Sequence, residues 1–399
     1  MKTLNILSKS AMLACVLSAP AYAQLQVTGG DCTLTLSGQL KAEYWSKTGG
    51  VLPDTNKDTQ EFFGFADIQL DNKCKLTSNT ELEMRLRQRP LKGSNFEIQG
   101  DDLGSREAWI GVSNGGFGKI RVGRFLNKMN TVLDYPYGAP NLNAQAADYG
   151  ATPSAPTRYG SLRYIAPTFF GVDLETTVGS SSASRDIELY AQYKIAGFMI
   201  DGIHARSKMN AAYQRAGGAG YSFDNSRNLT NTATFLGARY EFGNSAKLMA
   251  GFKNNVFSYP VAPSGVYNAT GSFRQETAIN EVVFSGEYPI APKWTASAGL
   301  VRYLDTKTRG VSADDGATLL GAIISYAILP NMSVNLQLRQ TRLDRVGAIP
   351  GSGSGVNNII PSTTKESLGL ENREWVFDQG AGFKSKKVNY VGIAFQYTF

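Results

Sequence analysis

The sequence predicts an all-β protein, a sixteen-stranded antiparallel transmembrane β-barrel with short periplasmic turns and long external loops. Three observations support this prediction: alternation of polar and apolar residues along most of the chain, no long apolar run after the first 23 residues, and connections that alternate in length. A transmembrane helix needs about 20 apolar residues. A mean hydropathy of −0.22 with 11% aromatic residues and 42 glycines is typical of a barrel that is apolar only on its outside.

The clearest strand pattern lies between Leu76 and Arg89, where apolar residues alternate with charged ones. Charges that faced hydrocarbon would each cost several kcal/mol near the midplane, so the charged face must be wet. The same period of two, which is typical of strands, recurs sixteen times. The predicted strands are 33–45, 60–70, 75–89, 104–113, 117–124, 157–165, 169–179, 186–195, 197–208, 231–242, 246–258, 276–288, 293–304, 317–328, 332–344 and 387–399.

The lengths of the connections indicate the orientation of the predicted barrel in the membrane, because short turns lie at the periplasmic rim and long loops at the external rim. Short turns are predicted at 71–74, 114–116, 166–168, 242–244, 289–292 and 330–331. Longer stretches rich in Gly, Ser, Asn and Asp lie at 46–59, 90–103, 125–156, 209–230, 259–275, 305–316 and 345–386. An even number of strands returns the C-terminus to the rim at which the chain began.

The N-terminus has the pattern of a secretion signal. Met1-Lys2 is followed by an apolar stretch and by Ala21-Tyr22-Ala23, which predicts a signal peptide at residues 1–23. Lipidation at Cys15 is an alternative that the stronger site after Ala23 disfavours. We therefore expect one barrel domain at residues 24–399, without an internal boundary.

The charge balance excludes one class of partner. The formal net charge of +7 falls to +5 once Lys2 and Lys9 are lost with the signal peptide, and basic residues are interspersed with acids. Such a small surplus over this length does not indicate nucleic-acid binding.

Three segments resemble the general porins of Gram-negative bacteria, most closely the beta-proteobacterial type. They are Gly116-Phe117-Gly118-Lys119-Ile120-Arg121-Val122-Gly123-Arg124, the stretch from Arg158 to Gly171, and the terminal aromatic Phe399, which is similar to the family's outer-membrane sorting signal. The chain departs from the family at Phe125, Gly160 and Ala166, lacks a His near its C-terminus, and has an unusually long segment at 345–386.

The resemblance implies a water-filled, trimeric channel in which residues 125–156 fold inward and narrow the barrel. The ionisable residues of this predicted constriction loop are Lys128, Asp134 and Asp148. The alternative is a mobile external loop, since long loops are commonly functional or disordered.

The wall opposite the loop is predicted to be basic. Alternation directs Arg85, Arg87, Lys119, Arg121 and Arg163 inward. Arg124 is out of phase and reaches the lumen only if Gly123 makes a bulge, as the resemblance suggests. Alternatively, each is a solvated arginine or lysine near a rim, paired with Glu81, Glu83 or Glu107. With only Asp134 and Asp148 on the loop, we expect a weak to moderate anion preference.

The remaining special residues predict structure rather than catalysis. Cys32 and Cys74 lie at the periplasmic rim of neighbouring hairpins, so a disulfide is expected in this oxidising compartment. His204 is the sole histidine and is expected to face the lumen; no nucleophile motif surrounds it. We predict no enzyme, no cofactor and no metal site.

The expected function is passive diffusion of small hydrophilic solutes and ions across the outer membrane of a Gram-negative bacterium. The expected partners are those solutes, outer-membrane lipid and lipopolysaccharide, and two further copies of the chain. A substrate-selective channel and a structural or adhesive barrel that uses residues 345–386 remain alternatives.

Overall fold

The computed structural model describes residues 25–48, 59–93, 97–98, 106–138, 157–180, 184–209, 229–261, 273–305, 307–308, 311–312, 316–343 and 387–399. The predicted signal peptide, Asp148 and the segment 345–386 lie outside these residues.

Twenty strands and one helix make up the described structure. They are β1 (Leu25–Gly29), β2 (Cys32–Thr48), β3 (Thr59–Lys75), β4 (Thr80–Gly93), β5 (Glu97–Ile98), β6 (Glu107–Asn114), β7 (Gly118–Leu126), α1 (Lys128–Asp134), β8 (Thr157–Ile165), β9 (Val172–Ser180), β10 (Ser184–Ile195), β11 (Phe198–Met209), β12 (Leu229–Glu241), β13 (Lys247–Val261), β14 (Phe273–Ala291), β15 (Trp294–Tyr303), β16 (Lys307–Thr308), β17 (Val311–Ser312), β18 (Ala317–Leu329), β19 (Met332–Leu343) and β20 (Lys387–Thr398).

Sixteen of these strands close into an antiparallel barrel, which confirms the predicted fold class. Each pairs with the next along the chain, and β2 pairs with β20 from Gln39 opposite Thr398 to Thr48 opposite Asn389. The short β1, β5, β16 and β17 are additions at the barrel ends. Closure pairs every strand edge, which is the requirement for a sheet in hydrocarbon. Within the described residues, no helix is long and apolar enough to span a bilayer.

The two faces of the wall differ as the alternation predicts. Along β11, Asp201, Ile203 and Ser207 are buried on the lumen side, whereas Phe198 and Ile200 are exposed on the outer side. Exposed aromatic side chains recur near the short turns, as in the interfacial girdle of a membrane barrel. They include Phe117, Tyr164, Phe169, Tyr193, Phe242, Tyr288 and Trp294.

The predicted turn at 71–74 is wrong: β3 continues through Lys75, and the turn lies at residues 76–79. The turn-forming types Asp, Asn and Lys occur here within a hairpin because oppositely charged residues stand across from them. Asp71 faces Arg85, Lys73 faces Glu83 and Lys75 faces Glu81. Such cross-strand pairs stabilise an antiparallel ladder and outweigh local turn preference.

Other elements also differ from the prediction. The strand predicted from residue 169 begins at Val172, because Phe169 and Val172 exchange backbone hydrogen bonds across a tight turn that contains Gly171 with φ of +78°. The sequence also gave no sign of β1, which pairs with β2 from Leu25 opposite Leu36 to Gly29 opposite Cys32. β1 and β20 pair with the same edge of β2: β20 pairs from Gln39 onward, and β1 pairs with the residues before it.

Candidate pore constriction

Residues 127–138, which we call the constriction segment, follow β7 and lie inside the barrel. The helix α1 forms the first part of the segment, and the side chains of Met129 and Leu133 are fully buried. The backbone N–H groups of Lys128 and Met129 donate to the two carboxylate oxygens of Glu188 on β10, at 2.7 and 3.2 Å. A carboxylate at this end of a helix satisfies free N–H groups and complements the helix dipole.

Tyr137 fixes the far end of the constriction segment. Its hydroxyl donates to Asp201 on β11 at 2.8 Å, and its ring meets Phe235 on β12 edge to face at 4.9 Å between centroids. Its carbonyl oxygen accepts a hydrogen bond from Ser285 on β14 at 3.0 Å. Burial raises the pKa of the Tyr137 phenol, and the Asp201 carboxylate raises it further, so the hydroxyl remains a donor at any physiological pH.

A glycine in the wall makes room for this tyrosine. A Cβ atom at Gly237 on β12 would lie 2.5 Å from the ring of Tyr137. No side chain fits at that distance. The position of the constriction segment therefore depends on a wall residue that has no side chain.

Arg163 fixes the near end of the constriction segment. It is buried on β8, where its guanidinium donates to the carbonyl oxygen of Leu126 at 2.7 Å and pairs with Glu175 at 3.1 Å. Its Cζ atom lies 4.4 Å from the ring centroid of Phe125. Arg163 thus lies on the lumen side, but its contacts hold the base of the segment rather than face open water.

Arg85 and Arg87 lie on the lumen side of β4, and both pair with acids of adjacent strands. Arg85 contacts Asp71 at 2.7 Å and Glu107 at 3.8 Å. Arg87 contacts Asp67 at 3.1 Å and Glu107 at 3.6 Å. Both arginine side chains stay about 30% exposed, at 32% and 28%, while Glu107 is 7% exposed. The positive groups therefore reach further into the lumen than the acids that hold them.

Lys119 and Arg121 on β7 share one acid, Glu83, at 3.4 and 2.6 Å. Glu83 is almost completely buried beneath them. The guanidinium of Arg121 also lies over Trp109, with its Cζ atom 4.1 Å from the ring centroid. Stacking and ion pairing together fix the orientation of this arginine.

The part of the wall that β4 forms lies across the barrel from the strands that contact Tyr137. Sixteen strands place each strand opposite the one eight positions further round. By this count β4 lies opposite β13, between the strands β12 and β14 that contact Tyr137. The count places Arg85 and Arg87 opposite these strands, and the basic wall as a whole stays a prediction.

Arg124 takes a different position from the one that a bulge at Gly123 would give. The register shifts after Gly123: Gly123 pairs with Ser161, and Phe125 pairs with Arg158. Two residues along β7 thus correspond to three along β8, so the bulge and its extra residue are in β8. Arg124 therefore shares the parity of the exposed Val122, and the fully buried Phe125 takes the inward place. The side chain of Asp134 and all of Asp148 lie outside what the structure describes.

His204 does not face the lumen as expected. It is exposed on the outer face of β11, where its Nδ1 atom lies 2.9 Å from the hydroxyl oxygen of Thr234. The sequence missed this because the neighbours of His204 alternate only weakly, and the buried Ile203 and Ala205 set the true parity.

Three residues that the sequence singled out lie near the N-terminal half of β2, which is where the barrel closes. Cys32 and Cys74 are directly opposed on β2 and β3, with their sulfurs 2.08 Å apart. Phe399 exchanges backbone hydrogen bonds with Gly38, at 2.7 and 3.0 Å. Its ring lies where a side chain at Gly38 would be, 2.5 Å from the position of a Cβ atom.

Glu188, Asp201 and Phe235 are site residues that the sequence did not single out. All three lie on strands predicted from the period of two, and that period directs them inward. Their contact with residues 127–138 depends on how deep the segment enters the barrel, which no local pattern encodes. Among the described residues, no group of His, Cys, Asp and Glu side chains is arranged to hold a metal ion.

Comparison with known proteins agrees with this architecture. The chitoporin of Vibrio furnissii is 26% identical over 252 residues, which cover 58% of this chain and 64% of that protein's length. The chain thus matches less than two thirds of that relative.

Solved porin structures share the fold over nearly the whole chain. An anion-selective porin from Comamonas acidovorans has a TM-score of 0.64 at 14% identity and covers 92% of this chain and 100% of its own. The trimer form of OmpT of Vibrio cholerae has a TM-score of 0.63 at 15% identity, with coverages of 93% and 100%. Salmonella typhi OmpF has a TM-score of 0.62 at 16% identity, with coverages of 94% and 100%.

The family described as Gram-negative porin matches residues 10–345, which is most of the chain. This family and this fold are those of non-enzymatic channels of the outer membrane. The chain therefore belongs to the Gram-negative porins and lies in the outer membrane.

Proposed function

We propose that this porin conducts small hydrophilic solutes and ions by passive diffusion, with a weak preference for anions. The observation that carries the proposal is the constriction segment, held inside the barrel opposite a wall of partly exposed arginines. Charged side chains that line a narrow, wet passage set its ion selectivity, and arginine and lysine favour anions.

The sign of the preference follows from the ion pairs on the wall. Among the described residues of β3 to β7, the paired cations outnumber the paired acids by six to four. The cations are Arg85, Arg87, Arg89, Arg106, Lys119 and Arg121, and the acids are Asp67, Asp71, Glu83 and Glu107. The small excess supports a weak preference that salt screens beyond about 8–10 Å.

Reversal potentials across a planar bilayer under a KCl gradient test this. We expect an anion-selective sign that fades at high salt, and a shift toward cations in the variant Arg85→Gln with Arg121→Gln. The variant Arg206→Gln with Lys208→Gln, which removes two charges from the outer face of β11, is the matched control. A cation-selective wild type, or no shift in the arginine variant, would contradict the proposal.

A substrate-selective channel for neutral oligosaccharides is the second candidate. A lumen groove of about 730 Å³ is lined by Lys128, Glu175, Tyr190 and Gln192 among others, and such a mixed polar and aromatic lining suits sugars. The name of the Vibrio furnissii relative points to the same class. Chitooligosaccharides that block single-channel current at micromolar concentration would favour this candidate; unblocked current would favour general diffusion.

We also propose that the chain assembles as a homotrimer after removal of residues 1–23. Support comes from the trimer form of a structural neighbour and from the signal pattern of the sequence. An SDS-resistant oligomer of three mature chains, measured by light scattering, is the expected result, and a monomer would contradict it. The adhesive alternative depends on residues 345–386, outside the described structure.

A further inference from the structure

Trp109 on β6 lies between two of the lumen arginines of the wall. It stands directly opposite Arg85 on β4 and directly opposite Gly123 on β7. The Cζ atoms of Arg85 and Arg121 lie 5.6 and 4.1 Å from the centroid of its ring. Both distances are within the range of a cation–π contact. One tryptophan therefore contacts a guanidinium group from each of the two neighbouring strands.

Two glycines make room for this arrangement. A Cβ atom at Gly123 would lie 2.9 Å from the Cβ atom of Trp109. A Cβ atom at Gly111 would lie 2.6 Å from the Cγ atom of Arg121. Gly111 stands between Glu83 on β4 and Arg121 on β7. Because Gly111 has no side chain, Arg121 reaches across β6 to Glu83 at 2.6 Å and passes beside the ring of Trp109.

The ring of Trp109 is itself held in place by its packing. Trp109 is 7% exposed, and its ring stacks on that of the fully buried Phe125, with 6.2 Å between centroids and 30° between planes. Phe125 in turn contacts the guanidinium of Arg163, which binds the base of the constriction segment. A buried ring with this packing is a fixed surface for the arginines that contact it.

The arginines reach the lumen, whereas the groups that hold them do not. The side chains of Arg85 and Arg121 are 32% and 18% exposed. Their acidic partners lie deeper, since the side chain of Glu107 is 7% exposed and that of Glu83 is 3% exposed. The face of an indole attracts a guanidinium group without neutralising its charge. A tryptophan at this place therefore orients positive charge that a further carboxylate would cancel.

We propose that Trp109 is a positioning residue for the ion selectivity of this porin. Its ring holds the guanidinium groups of Arg85 and Arg121 at the surface of the lumen, where an anion in transit meets them. Without the ring, both side chains turn toward the buried acids Glu83 and Glu107 and present less positive charge to the lumen. The inference rests on the proposed role of the wall arginines in ion selectivity and gives a neutral residue part of the control over it.

Reversal potentials across a planar bilayer under a KCl gradient test the inference. Trp109→Leu and Trp109→Met keep an apolar side chain but lose the aromatic face, so both should shift the potential toward cations relative to wild type. The shift should be smaller than that of Arg85→Gln with Arg121→Gln, because the arginines keep their charge. Trp109→Phe retains an aromatic ring and should restore most of the wild-type potential.

A double-mutant cycle shows whether Trp109 acts through the two arginines. When Arg85→Gln and Arg121→Gln are already present, Trp109→Leu should cause no further shift of the reversal potential. A tryptophan that only stabilised the barrel, or that lined the pore directly, would change the potential equally in both backgrounds or in neither.

Trp45→Leu is the matched control. Trp45 also stands opposite a glycine, Gly392, and its ring centroid also lies close to an arginine, at 4.4 Å from the Cζ atom of Arg339. Arg339 is only 7% exposed, however, so its position contributes little to the charge that faces the lumen. Loss of this second buried tryptophan should leave the reversal potential unchanged.

Three results would overturn the inference: a wild-type potential in Trp109→Leu or Trp109→Met, an undiminished shift when the two arginines are already replaced, or an equal shift in Trp45→Leu. Discrete current steps in each variant show that it folds and inserts. Because each variant is compared with wild type, the inference is decided separately from the sign of the wild-type potential. A cation-selective wild type would overturn the proposed anion preference alone.

Discussion

At the scale of single residues, Tyr137 is the side chain whose contacts most directly set the position of the constriction segment. It joins residues of three wall strands, through a hydroxyl, a ring and a carbonyl oxygen. The ring occupies space that only a glycine at position 237 leaves open. A methyl group at position 237 would therefore displace Tyr137 and, with it, the constriction segment.

The variant Gly237→Ala should displace Tyr137 and loosen the constriction segment. We expect a larger or noisier single-channel current, because the added Cβ atom would lie 2.5 Å from the ring. Gly202→Ala is the matched control, since its Cβ atom would meet nothing closer than 4.0 Å. Equal currents in wild type and Gly237→Ala would show that the Tyr137 contacts do not hold the segment.

Sequence predicts the direction of the cations on β4 and β7, fails for His204, and does not predict which charges pair. A period of two is enough to direct Arg85, Arg87, Lys119 and Arg121 inward, because neighbouring side chains in a strand point to opposite faces. The pairing of Arg85 with both Asp71 and Glu107 depends on the register of three strands. Alternation made Glu83 and Glu107 candidate partners, but single-strand patterns contain no information about register, so which cation pairs with which acid could not be predicted.

At the scale of elements, the hairpin of β3 and β4 shows where turn chemistry misleads. The sequence Asp71-Asn72-Lys73-Cys74 favours a turn, yet ion pairs across the hairpin extend both strands beyond it. Extension brings Cys74 into register with Cys32 on β2. The two cysteines thus lie in paired strands, and the disulfide expected from their rim positions links β2 to β3.

The disulfide prediction is tested at this same hairpin. Cross-linking residues 42 positions apart could stabilise a chain by up to ~4 kcal/mol through unfolded-state entropy. Because barrel closure already restrains β2 and β3, we expect Cys32→Ser with Cys74→Ser to lower the unfolding temperature by only a few degrees. Peptide mapping without reductant should recover the linked pair. Two freely alkylated thiols in the native protein would refute the link.

At the scale of the whole molecule, the barrel is the part that sequence predicts best. Sixteen period-two segments, an even strand count and alternating connection lengths each follow from the same physical situation, a wall with lipid on one side and water on the other. Residues 127–138 are held in the lumen by contacts with strands that are distant in the sequence. The inward position of this segment was expected only from the family resemblance, because the sequence of a loop does not specify how far it enters the barrel.

Single-channel recording in a planar bilayer tests the central claim that this barrel is an open, narrowed, water-filled pore. Purified wild-type protein should produce discrete, ohmic current steps, because the lumen wall is lined by charged side chains that stay hydrated. The step size should rise when Gly237→Ala releases the constriction segment and stay unchanged in Gly202→Ala. A folded, membrane-inserted protein that gives no current steps would contradict the account.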